Sequence, residues 1–229
     1  MASGVAIHLR SVVALLGGFP ALAGADLDVG QGEVVLLQGP NGAGKTTMLR
    51  VCAGLLGVMS GEVEVLGHDL TAERRTVRRQ IGLLANAAGL YDDLTVSDNV
   101  RFAVRAGGGD PGSVDGALER CGLRGRLPQT PVGRLSTGQR RRAALAALVA
   151  RQPRLWLLDE PHAGLDAAGR DLLDEVIREA VGAGATVVLA SHELDRATAL
   201  ASRTLTVAGG VVVGASGNDV RGPEAVHVA

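Results

Sequence analysis

The chain has 229 residues, 46% of them hydrophobic and 21% charged, with a formal net charge of −1. That is an ordinary composition for a folded protein with a sizeable core, and near-neutrality excludes a general attraction to phosphate backbones or acidic membranes. Aromatic residues make up 2%, so the core must be built from Ala, Val and Leu, and the scarcity argues against aromatic stacking on nucleic-acid bases.

Two cysteines, Cys52 and Cys121, are too few and too far apart for a disulfide framework or a metal site, so a reducing compartment is expected. The N-terminus carries no basic stretch followed by an apolar run, and no signal peptide is expected. No uncharged apolar stretch reaches the roughly 20 residues of a membrane helix. The longest, residues 11–25, is broken by Gly17, Gly18 and Pro20.

In chain order, residues 5–9 and 25–29 alternate with period two and predict strands. Residues 33–38 form a short apolar strand leading into Gly39-Pro40-Asn41-Gly42-Ala43-Gly44-Lys45-Thr46-Thr47, and residues 48–53 a helix leading out. Residues 60–67 alternate again, residues 74–79 predict a helix, and residues 81–84 a buried strand. From about residue 86 to 151 the pattern is helical and interrupted by glycine, with an exposed loop at residues 107–112. Residues 155–158 and 186–190 read as fully buried parallel strands, with an amphipathic helix over 166–180 between them. A closing hairpin spans 205–213, and the tail from Gly214 has little apolar pattern.

The chain holds 22 arginines and one lysine, and that lysine is Lys45. A mere need for charge would have been met by Arg here as elsewhere. The pattern G-x-x-x-x-G-K-T between a strand and a helix is a phosphate cradle: backbone N–H groups close around phosphate oxygens and the helix dipole points at them. A slim ammonium reaches the outer phosphates where a planar guanidinium is too bulky. The segment from Gly39 to Thr47 therefore predicts binding of a nucleoside triphosphate, with the Thr46 hydroxyl on Mg²⁺.

Hydrolysis needs Mg²⁺ held in place, a group that positions water and a sensor of the γ-phosphate. Asp159 ends the buried strand at 155–158, where ligands bind in open α/β sheets, and is expected to hold Mg²⁺ with Thr46. Glu160 follows and can polarise the attacking water. Leu135-Ser136-Thr137-Gly138-Gln139 opens a helix, with Ser136 as N-cap, and a helix start can also receive a phosphate. His192, just past the strand at 186–190, is expected to touch the γ-phosphate. The Arg clusters at 74–79 and 140–142 read as solvated helix faces.

These pieces in this order resemble the ATP-binding cassette (ABC) ATPases over nearly the whole chain, from about residue 5 to 213. Residues 39–47 match the Walker A motif, 135–139 the signature, 155–160 Walker B with its catalytic Glu160, 163–166 the D-loop, and His192 the switch histidine. The resemblance implies an α/β P-loop NTPase: a mixed-sheet core with an N-terminal antiparallel β region and an inserted helical subdomain. The whole chain, 1–229, would be one nucleotide-binding domain, with its core at about 1–85 and 152–213, helical subdomain at 86–151 and loose tail at 214–229. It implies ATP and Mg²⁺ as cofactors and a homodimer, or a pair with a similar subunit, sandwiching two ATPs. Ser136, Gly138 and Gln139 of one copy, with Asp166 of the D-loop, would complete the site around Lys45 of the other. An integral membrane subunit is the further partner, which would place the chain on the cytoplasmic face of the cell membrane. No nucleic-acid partner is expected.

The chain departs from the family in three places. Asn86 stands where a Gln usually meets Mg²⁺ and the attacking water, one methylene shorter. Thr137 replaces the commoner signature glycine and is tolerated only at negative φ. Leu16, with Phe19 nearby, occupies the place of an aromatic that stacks on adenine. Residues 86–95, 135–142 and 156–166 are similar to the haem-exporter ATPases of cytochrome c maturation in high-GC bacteria, with drug- or lipid-exporter ATPases as the alternative. His8, His68, His162 and His227 read as ordinary surface or turn residues, His162 beside the dimer seam. Tyr91, Asp92 and Asp93 are candidates for contact with the membrane partner.

Overall fold

The fold is given by a computed structural model, which describes residues 4–85 and 89–217. Asn86 and His227 lie outside the described residues, as does the tail beyond residue 217.

Two long strands open the chain, β1 (Val5–Leu16) and β2 (Phe19–Gly30), turned by Gly17 and Gly18 at φ 59° and 84°. They run well beyond the short strands that alternation predicts. The pairing slips between Leu9 and Val12, and Ser11 sits at φ 49°, so a bulge resets which side chains face inward and hides the period of two. With β4 (Ser60–Val65) and β5 (His68–Asp69) they make an antiparallel sheet in the order β2-β1-β4-β5.

A second sheet, in the order β10-β9-β3-β8-β7-β6, comprises β3 (Val34–Gln38), β6 (Ile81–Leu84), β7 (Leu155–Asp159), β8 (Thr186–Ala190), β9 (Arg203–Ala208) and β10 (Val211–Gly217). All neighbours in it are parallel except β10 on β9. Every residue of β7 and β8 is buried, because both faces of the sheet are covered, and the strands therefore read as unbroken apolar runs.

The two faces feed different cores. Leu155 and Leu157 pack with Val35, Leu37 and Val188 against the N-terminal sheet and α1 (Lys45–Cys52). Trp156 and Leu158 pack on the other side with Leu36, Leu84, Val187 and Leu189. There they meet α3 (Val96–Gly107), α4 (Ser113–Arg120), α5 (Thr137–Arg151) and α6 (Ala167–Gly182). Each Val or Leu so buried contributes about 1.5–3 kcal/mol.

Two short helices complete the chain, α2 (Arg74–Gln80) and α7 (Leu194–Leu200). The second has no sequence expectation behind it. With seven residues and one of them, Ala197, buried, it shows too little periodicity to read.

Adjacency of β3, β8 and β7 is what positions the site. Their carboxyl ends lie side by side and lead to Gly39, Ser191 and Glu160 respectively.

Candidate nucleotide site

Gly39 has φ 147°, and a Cβ there would lie 2.1 Å from the Val207 carbonyl oxygen. Gly44, the N-cap of α1, has φ 110°, and its Cβ would lie 2.7 Å from the Ala21 carbonyl. Both positions demand glycine on two counts, conformation and space. No side chain caps α1, and the first helical bond runs from Met48 N to Gly44 O at 2.8 Å. The amides of Lys45, Thr46 and Thr47 thus form an uncapped first turn at the positive end of the helix dipole, which suits an anion.

Lys45 is 7% exposed, and its Nζ donates to the carbonyls of Gly39 at 2.7 Å and Pro40 at 3.1 Å. The stem is buried beneath the loop and the ammonium is held at its arch. Thr46 Oγ1 lies 3.1 and 3.0 Å from the two oxygens of Asp159, itself 8% exposed. A hydroxyl and a carboxylate are hard oxygen donors of the kind Mg²⁺ takes, with phosphate oxygens and water filling its octahedron.

Glu160 stands at φ 49°, a left-handed conformation costing a side-chain-bearing residue about 1–2 kcal/mol. Its amide donates to Ala190 O at 2.8 Å. Its carboxylate accepts from the His192 amide at 3.1 Å and lies 3.5 Å from His192 Nε2. Lys45, Thr46, Asp159, Glu160 and His192 line one cleft of about 350 Å³ together with Asn41, Gly42, Ala43 and Leu16. Phe19, at the hairpin tip, is 78% exposed and is not part of that lining.

The signature residues lie elsewhere. Ser136 and Gln139 form a capping box, Gln139 N to Ser136 Oγ at 3.2 Å and Ser136 N to Gln139 Oε1 at 3.0 Å. Thr137 begins α5 with negative φ, so the missing glycine has no conformational consequence. A Cβ on Gly164 would lie 3.0 Å from Thr137 Cγ2, which places the segment 163–166 against the start of α5. Asp166 caps α6 by accepting from Gly169 N at 2.8 Å. Within one chain Ser136, Gly138, Gln139 and Asp166 are therefore grouped together, but apart from the Lys45 cleft.

Two expectations are corrected. His162 does lie in the turn after Glu160, but it is not a surface residue: it is 1% exposed, with Nε2 2.7 Å from Asp174 Oδ1. The cluster at 140–142 is not wholly solvated either. Arg141 is buried and donates to four backbone carbonyls. The spacing held a signal for it, since Arg141, Ala144, Leu145 and Leu148 share the buried face of α5 at i, i+3, i+4 and i+7.

With this geometry established, comparisons with known proteins fix the family. Residues 22–163 match the ABC transporter family model. The cytochrome c biogenesis ATP-binding export protein CcmA of Cupriavidus pinatubonensis is 38% identical over 200 residues, 85% of this chain and 86% of that protein. The daunorubicin resistance ATP-binding protein DrrA3 of Streptomyces coeruleorubidus is 40% identical over 205 residues, 86% of this chain and 63% of that protein. The chain spans less than two thirds of the length of DrrA3 and of the sulfate/thiosulfate import relatives it also matches. The ATP-binding cassette MJ0796, solved as a dimer in a post-hydrolysis state with ADP and Pi, superposes with a TM-score of 0.85 at 26% identity, covering 94% of this chain and 99% of that one. The chain belongs to the ABC transporter family, with the fold of an ATP-binding cassette.

Proposed function

We propose that this chain is the ATPase subunit of a membrane exporter of the haem-export, cytochrome c biogenesis type. The observation that carries its chemistry is the convergence of Lys45, the Thr46–Asp159 pair, Glu160 and His192 on one cleft. The amides of the uncapped α1 turn and Lys45 hold the phosphates of ATP. Thr46 and Asp159 would hold Mg²⁺, which when bound neutralises charge on the phosphate oxygens. Glu160 accepts the proton of the attacking water, and His192, hydrogen-bonded to that carboxylate, reads the γ-phosphate. The grouped Ser136, Gly138, Gln139 and Asp166 complete the site of a second copy, in a homodimer or a pair with a similar subunit.

Contact with the membrane subunit falls on the groove beside Tyr91. A depression of about 210 Å³ lies between β6, α3 and α5, rimmed by Tyr91 and Phe102, whose half-exposed rings meet edge to face at 5.3 Å. Asn99 locks its rim by bonding the Tyr91 amide at 2.8 Å and its carbonyl at 3.0 Å. Among the described residues no helix is long and apolar enough to cross a membrane. The cytochrome c reading is supported by three CcmA relatives at 34–38% identity. A drug exporter is the second reading, favoured by the 40% identity to DrrA3.

The test is to purify tagged Glu160→Gln protein with Mg-ATP from detergent-solubilised native cells and identify what accompanies it. A multi-helix membrane protein together with cytochrome c assembly factors is the expected result. A membrane protein without those factors moves the assignment to the drug-export reading. Ribosomes or DNA-repair proteins, with no membrane subunit, overturn the transporter assignment.

A further inference from the structure

Arg141 is 5% exposed and forms no ion pair among the described residues within hydrogen-bonding reach of a carboxylate; its partners are all backbone carbonyls. Nη1 donates to Ala85 O at 2.6 Å, Nη2 to Asp159 O at 3.0 Å and to Glu160 O, and Nε to Pro161 O at 3.2 Å. Four acceptors on two separate segments converge on one guanidinium, a use of its fixed fork that a point charge cannot copy. Burial pulls the Arg141 pKa below its ordinary value, opposed by the negative charges of Asp159 and Glu160. A charge placed at such a cost of solvation belongs to something the site uses.

What it grips is informative. Ala85 immediately precedes Asn86 in the chain. Glu160 is the residue in left-handed conformation, and both of its peptide groups are held, its amide by Ala190 O and its carbonyl by Arg141. Those two holds aim the carboxylate at His192. Arg141 itself rides on α5, in the turn that follows its N-cap Ser136 and two residues beyond Gln139. We infer that Arg141 is a positioning residue: it fixes Glu160 in its strained conformation and makes the orientation of that carboxylate depend on α5, the helix whose first turn faces the second copy. Closure of the dimer against that turn is thereby transmitted to the water-positioning group and to Ala85. This rests on the reading of Glu160 as the base.

The experiment measures steady-state ATP hydrolysis and Mg-ATP affinity for Arg141→Gln, Arg141→Lys, Glu160→Gln and the Arg141→Gln/Glu160→Gln double variant. Arg141→Gln is expected to lower kcat about 100-fold, the scale of a misplaced general base, with KM for Mg-ATP within about threefold. Arg141→Lys keeps the charge but cannot span four carbonyls, so kcat falls there too, about tenfold. It also carries the test should Arg141→Gln not fold. In the Glu160→Gln background the Arg141 change is expected to remove nothing further, because both act through one carboxylate. An equal fall of rate in both backgrounds, or a rise in KM with kcat intact, overturns the positioning role alone. An unchanged rate in Glu160→Gln by itself removes the reading of Glu160, and this inference with it.

Discussion

His162 Nε2 lies 2.7 Å from Asp174 Oδ1, and Arg196 reaches the other oxygen of that carboxylate at 2.8 Å. The three residues tie together the turn after Glu160, the middle of α6 and the short helix α7 that begins two residues after His192. Deleting the carboxylate strands a buried imidazole whose Nδ1 already lacks a partner, and leaves Arg196 with Asp171 alone. Asp174→Ala is expected to destabilise the fold by about 3 kcal/mol, the scale of a buried polar group left unsatisfied. Urea unfolding measures it. A loss under about 0.5 kcal/mol, the range of an inert surface change, would show that the network is not structural.

Glu160→Gln keeps size and backbone but cannot take a proton. Its hydrolysis rate should fall by a factor of about 10²–10⁴, while Mg-ATP still binds. With hydrolysis blocked, the bound nucleotide persists and the protein should elute from a sizing column as a dimer in Mg-ATP. Wild-type turnover in this variant would move the base elsewhere.

Lys45→Ala separates binding from chemistry. The wild-type protein should be stabilised by Mg-ATP, by about 2.7 kcal/mol at a hundredfold excess over Kd. The variant empties the arch formed by the Gly39 and Pro40 carbonyls, and should lose most of that protection in a thermal melt while keeping its own melting temperature without nucleotide. Equal protection of both proteins would remove Lys45 from the site.

How much of this was legible depended on how local each signal is. The phosphate loop carries its whole geometry in nine consecutive residues, and β7 and β8 announce themselves as apolar runs ending in Asp159 and Ala190, so the cleft could be read before it was seen. Long-range polar contacts could not. His162 and Asp174 are twelve residues apart, with no periodicity joining them, and a histidine in the turn after Glu160-Pro161 looks exposed until α6 folds over it. Arg141 was hidden for the opposite reason. Its neighbours Arg140 and Arg142 suggest a charged face, although its place on the buried stripe of α5 was present in the spacing. The length of β1 was obscured by the bulge at Ser11, which breaks the alternation that identifies strands.

Cys52, between the two sheets on α1, and Cys121, just after α4, are both buried and free. Burial pushes each thiol up to about 12 from its ordinary value. A raised pKa means that the folded state keeps its proton after the unfolded chain has lost it. The stabilisation is complete below the unfolded thiol value near 9 and is lost as pH rises from there toward 12. Each thiol should then remove about 1.4 kcal/mol of stability per pH unit in that window. Urea unfolding at pH 8, 9, 10 and 11 should give a steeper fall for the wild type than for a Cys52→Ala/Cys121→Ala variant, whose remaining slope reports other groups. Below pH 8 the native thiols should resist a maleimide until urea opens the fold. Parallel slopes for the two proteins, or rapid labelling of the native state, would show that neither cysteine is sealed in the core.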